Sequence, residues 1–109
     1  MNAALFIAQR ATAMILAFAV TVHLATIIYA VRGGLTAGEV LARTRGNGWF
    51  LALYLVFVVA VAIHAPIGLR NIAREWSPWR GRSLDLVLAA FCVLLAGLGV
   101  SAALALFFA

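Results

Sequence analysis

Residues 49–71, WFLALYLVFVVAVAIHAPIGLRN, decide the fold. Apart from the phenol of Tyr54, the only ionisable side chain between Trp49 and Leu69 is His64. A bilayer has a hydrocarbon core of roughly 30 Å, which takes about 20 apolar residues as a helix. Residues 49–71 meet that requirement, with Trp49 at the depth where indole rings settle and Arg74 and Glu75 beyond the far end. The pattern predicts a membrane-crossing helix from Trp49 to about Ile72.

Upstream, Leu5 to Val31 is a second apolar stretch of the same kind. It is too long for the apolar region of a signal peptide and carries Arg10 within it, so it reads as a retained helix. It ends at Arg32-Gly33-Gly34. In the following connection, Thr36 stands three residues before Glu39, a capping pattern that predicts a short amphipathic surface helix through Arg43. Downstream, Ser77-Pro78-Trp79-Arg80-Gly81-Arg82 reads as a turn. Ser83 is the expected cap of a third helix, with Asp85 in its first turn and its end near Phe108. Gly97 and Gly99 are read as points of close helix approach. The expected fold is therefore an all-α membrane protein of three transmembrane helices, a single domain over residues 1–109.

Composition agrees. The chain is 67% hydrophobic and 10% charged, far from a soluble domain, and leaves no room for a soluble catalytic unit. Its net charge of +5 comes from eight basic residues, all arginines placed at span ends and connections, where they orient the chain and meet lipid headgroups or partner subunits. Nucleic acid is not an expected partner. Arg10, Arg70, Arg74, Arg80 and Arg82 fall on the N-terminal side, against Arg32, Arg43 and Arg45 on the other, which favours a cytoplasmic N-terminus. The single Cys92 lies in an apolar run and supports neither a disulfide nor a cysteine metal site.

Ionisable groups inside a span cost several kcal/mol unless paired, so Arg10, His23 and His64 are the candidates for chemistry. A lone histidine there is as readily a strut between helices as a metal ligand; two shift the balance toward ligation. A b-type haem takes imidazoles from membrane helices, each ring offering its second N–H to a neighbouring acceptor. The carbonyls of Ala19 and Ala60 are the expected acceptors. Ala65 and Gly68 near His64, and Ala19 and Ala25 near His23, leave room for a flat macrocycle. With no C-x-x-C-H motif, covalent haem is excluded. Measured from Arg10 and Arg70, His23 lies about 20 Å deep and His64 about 9 Å deep at 1.5 Å per residue, so they serve two irons or one is not a ligand. Arg10 either snorkels to the interface or, with Thr12, binds a haem propionate or a quinone carbonyl. Tyr29 and Tyr54 read as aromatic-belt residues.

Gln9-Arg10-Ala11-Thr12-Ala13 resembles the His-Arg-x-Ser/Thr-Gly motif that opens helix one of the cytochrome b556 (large anchor) subunit of succinate dehydrogenase and fumarate reductase, the complex II family. His64-Ala65-Pro66-Ile67-Gly68-Leu69-Arg70-Asn71 resembles that family's His-x-x-x-Gly-hydrophobic-Arg-His at the end of helix two. The resemblance implies that His64 is an axial ligand of haem b. It also implies that Arg10, Thr12 and Arg70 contact quinone or a haem propionate. His23 resembles the distal-haem histidine of two-haem members, which gives one or two haems shared with a second small anchor subunit. An iron–sulfur subunit and a flavoprotein subunit are the implied partners, on the cytoplasmic face of a bacterial inner membrane, with quinone as the electron partner. Gln9, Ala13 and Asn71 depart from the motifs, and Phe6 stands where some members carry a quinone-site serine. The alternatives are an anchor for another flavin-dependent, quinone-linked dehydrogenase, or a non-redox scaffold or transporter subunit.

Overall fold

A computed structural model describes residues 2–109. The chain folds as α1 (Ala3–Gly33), α2 (Ala37–Thr44), α3 (Gly48–Trp76) and α4 (Arg82–Phe107). Three of these, α1, α3 and α4, are long and apolar enough to cross a membrane. The molecule measures 49 × 23 × 22 Å. The three-helix plan expected from hydropathy is the plan observed, and α2 is the surface helix.

The helix ends follow from their capping residues. Asn2 caps α1 by accepting the Leu5 N–H at 2.8 Å, and Asn47 caps α3 by accepting from Phe50 N–H at 3.1 Å. Thr36 caps α2, accepting the Glu39 N–H at 3.2 Å and donating its hydroxyl to the Glu39 carboxylate at 2.6 Å. Ser83 is not the cap of α4. That position is Gly81, with φ 87° and no side-chain bond. Ser83 lies inside the helix, and its Oγ accepts the Trp79 indole N–H at 2.8 Å. α3 runs a turn past Ile72, and the Arg80 guanidinium donates to the carbonyl of Ser77 at 2.9 Å just beyond the helix end.

α3 is the centre of the molecule. It packs against α1 on one side and α4 on the other, while α1 and α4 scarcely meet. Both pairings are antiparallel: Thr12 meets His64 and His23 meets Tyr54 across the first seam, and Arg70 meets Asp85 near one end of the second. The seams are thin because small residues make them, with Ala19, Ala60, Ala62 and Ala103 buried. Gly99 is a true contact point, since a Cβ there would lie 2.6 Å from Val58 Cγ1. Gly97 is not, because a Cβ there meets nothing within 4 Å. The helix continues through the buried Pro66. The α2–α3 turn is tied to the end of α4 by the Gly46 N–H, which donates to the Phe107 carbonyl at 2.9 Å.

Most large apolar side chains point outward, among them Met14, Phe18, Val93 and Leu98. So wide an apolar exterior suits lipid or neighbouring subunits.

Candidate functional site

His64 sits in the α1–α3 seam. Its Nδ1 is 3.2 Å from Thr12 Oγ1, and Thr12 is only 6% exposed. The Thr12 hydroxyl also reaches back along its own helix, donating to the Ala8 carbonyl at 2.7 Å with the Gln9 carbonyl at 3.1 Å. One turn from Thr12, the Gln9 side chain fills the space left by Gly68, where an added Cβ would lie 3.4 Å from Gln9 Nε2. Gln9 Oε1 is buried there without a hydrogen-bond partner.

His23 lies in the same seam, toward the C-terminal end of α1. Its Nδ1 is 2.6 Å from the Tyr54 hydroxyl, and its ring meets Tyr54 and Phe57 edge-on at centroid distances of 5.5 and 5.6 Å. Tyr54 precedes His64 by ten residues, so the two histidines stand about 15 Å apart along the helix axis at 1.5 Å per residue. That separation is too great for both to flank one iron. Beside Tyr54 opens a cavity of about 600 Å³, walled by Thr26, Tyr29, Arg43, Asn47, Phe50 and Leu106 among others.

The arginines are placed differently from one another. Arg70 faces α4, where it pairs with Asp85 at 2.7 Å. Its Nε is buried and unpartnered, and the residue lines a 330 Å³ cavity with Leu5, Pro66, Ile67 and Cys92. Arg10 is two residues from Thr12, which turns it about 200° around α1 and away from the seam. It is exposed, with its guanidinium 5.7 Å from the ring centroid of Phe6 on its own helix. The structure thus brings Thr12 to His64 and gathers neither with Arg10 or Arg70.

Three partners were not visible in the sequence reading. The expected acceptors for the histidines, the Ala19 and Ala60 carbonyls, are replaced at Nδ1 by hydroxyls from the facing helix. Tyr54, read as a belt residue, bonds His23. Asp85, read as a helix-dipole charge, holds Arg70. An antiparallel register between two histidine-bearing helices, one carrying Thr12 and the other Tyr54, was the signal that could have found the first two.

The residues present suit a b-type haem. Each histidine has Nδ1 engaged by a hydroxyl, which leaves Nε2 as the ring atom for a metal. The buried, unpaired Nε–H of Arg70 is a donor of the kind a carboxylate needs. The sequence has two histidines, and they stand at two levels of the seam, one imidazole beside Thr12 and one beside Tyr54.

Three long apolar helices, the middle one antiparallel to both neighbours, define a multi-pass membrane protein. Residues 1–105 match the family of succinate dehydrogenase/fumarate reductase transmembrane subunits, and the chain belongs to that family. No curated protein and no solved structure matches it.

Proposed function

We propose that this chain is a haem b-holding anchor of a succinate dehydrogenase/fumarate reductase-type complex, in which electrons pass between an iron–sulfur subunit and quinone in the membrane. The observation that carries the reading is the pair of seam histidines, each with Nδ1 held and Nε2 left over, at two depths of one helix pair. His64 and His23 are each the ligand this chain gives to a haem, and a second small anchor subunit gives the others. When bound, haem b supplies a one-electron relay.

The chain's own residues supply the rest. Thr12 and Tyr54 hold the imidazoles. Arg70, with Nη1 committed to Asp85, keeps Nε–H as a donor to a propionate or a quinone oxygen at the membrane edge. Arg10 faces outward at the same edge and lines a quinone pocket that the second anchor subunit completes. The iron–sulfur and flavoprotein subunits dock on the side of the chain N-terminus, which is cytoplasmic, and the membrane is the bacterial inner membrane.

The test is a reduced-minus-oxidised spectrum with a pyridine haemochrome assay on the isolated complex, comparing wild type with His64→Ala and His23→Ala. Two b haems in wild type and one lost in each variant is the expected result. Loss only in His64→Ala makes His23 a strut to Tyr54 and the complex a single-haem one. A colourless wild-type complex sinks the ligand roles of both.

A further inference from the structure

We propose that Thr12 is a positioning residue for His64: its hydroxyl oxygen accepts the Nδ1 proton and so fixes the imidazole with its lone pair on Nε2. The inference rests on the reading of His64 as an iron ligand only for its consequence, not for the tautomer itself.

The argument is a count of protons. A threonine hydroxyl has one proton to give and two lone pairs to receive with. Three groups surround Thr12 Oγ1: the Ala8 carbonyl at 2.7 Å, the Gln9 carbonyl at 3.1 Å and His64 Nδ1 at 3.2 Å. Carbonyls only accept, so the single proton goes to Ala8, the nearest of the three, in the back-bond that threonines make inside helices. What Thr12 then turns toward His64 is a lone pair. A bare Nδ1 would set two lone pairs against each other in a seam where Thr12 is 6% exposed and water is scarce. Nδ1 therefore carries the proton, and a neutral imidazole with Nδ1–H has its lone pair on Nε2.

The contrast with His23 sharpens the assignment. The Tyr54 hydroxyl, 2.6 Å from His23 Nδ1, has no carbonyl claiming its proton, so either partner can donate and the tautomer there is not set. Thr12 is also stiffer than a phenol on a rotating side chain, because its branched Cβ and its carbonyl back-bonds fix the oxygen in place. A ligand whose second nitrogen donates a hydrogen bond is more basic and favours the oxidised metal.

The experiment uses the assembled complex with ¹⁵N-histidine label, the His64 signals being those lost in His64→Gln, and compares wild type, Thr12→Ser and the isosteric Thr12→Val. In haem-depleted complex, wild type and Thr12→Ser are expected to show protonated Nδ1 and bare Nε2, and Thr12→Val a shift toward protonated Nε2. In loaded complex, Thr12→Val is expected to raise the midpoint potential of the His64 haem by up to about 59 mV, a tenfold loss of preference for the oxidised form, with Thr12→Ser unmoved. A wild-type His64 protonated on Nε2 overturns the proposal, and that measurement decides it even where Thr12→Val does not assemble. Nitrogen shifts and potential both unchanged in Thr12→Val overturn it as well. If His64→Gln keeps its full haem content, the ligand reading fails instead, and the nitrogen shifts still judge what Thr12 does to the ring.

Discussion

At the scale of single residues, the site is a set of side chains whose partners come from other helices. Tyr54→Phe removes the hydroxyl that meets His23 Nδ1 and leaves a half-buried ring nitrogen without its partner. Hydrogen bonds between membrane helices contribute about 0.6 kcal/mol on average, and the expected loss is of that order, up to about 1 kcal/mol. Denaturant titration of the purified protein in micelles reads it, and a stability equal to wild type would mean that the contact holds nothing. Asp85→Asn is a gentler change. The Arg70–Asp85 pair is 31% and 55% exposed, so its loss is expected to cost less than about 1 kcal/mol and to depend on salt. The same residues show what the sequence could and could not reveal about the site. His23 and His64 were legible because an ionisable ring inside an apolar run is conspicuous by itself. Their hydroxyl partners were not, because Thr12 and Tyr54 lie 52 and 31 residues away in the chain and meet the rings only through the antiparallel register of α1 on α3.

At the scale of helices, the two glycines of α4 separate packing from mere permissiveness. An alanine at Gly99 would bring its Cβ to 2.6 Å from Val58 Cγ1, against a helix that cannot retreat without opening the seam. Gly99→Ala is expected to cost about 1–3 kcal/mol as overpacking. Gly97→Ala meets open space and is expected to stay within about 0.5 kcal/mol of wild type. Pairing Gly99→Ala with Val58→Ala relieves the clash, so the double variant recovers part of the loss, and a non-additive cycle in micelle unfolding is the readout. An additive result would mean that the two helices do not touch there. The spans themselves were legible because length and hydropathy alone fix a crossing helix. Their ends were less so. The backbone keeps turning after the apolar run stops, which is how α3 carries Arg74 and Glu75 to Trp76. The cap of α4 was misplaced because a glycine at φ 87° can start a helix without any side-chain oxygen, and such a cap has no hydroxyl to betray it.

At the scale of the whole molecule, the proposed haem sites are ones that a second chain would complete. α3 is covered on two sides, while α1 turns Arg10, Met14 and Phe18 outward. On the orientation proposed from the arginine bias of the connections, with Cys92→Ala as background, Asn2→Cys is expected to react with a membrane-impermeant maleimide only after the cytoplasmic side is opened. Labelling from outside intact cells would reverse the orientation and with it the docking side proposed for the soluble subunits. The donor set leads to a stronger expectation. A low-spin b haem needs two strong axial ligands, and the chain offers one imidazole near Thr12 and one near Tyr54, about 15 Å apart at the helical rise. With His64 and His23 as the proposed ligands, the chain expressed alone in membranes cannot close either site by itself. Its haem content should be near zero, or the haem should show the spectrum of a single weakly held imidazole. Co-expression with the second anchor subunit should restore the sharp α-band of bis-imidazole ligation, and His64→Ala should abolish that recovery at one haem. A full complement of low-spin haem on the isolated chain would mean that two copies pair their histidines across an axis, and the partner at the α1 face would then be this chain itself.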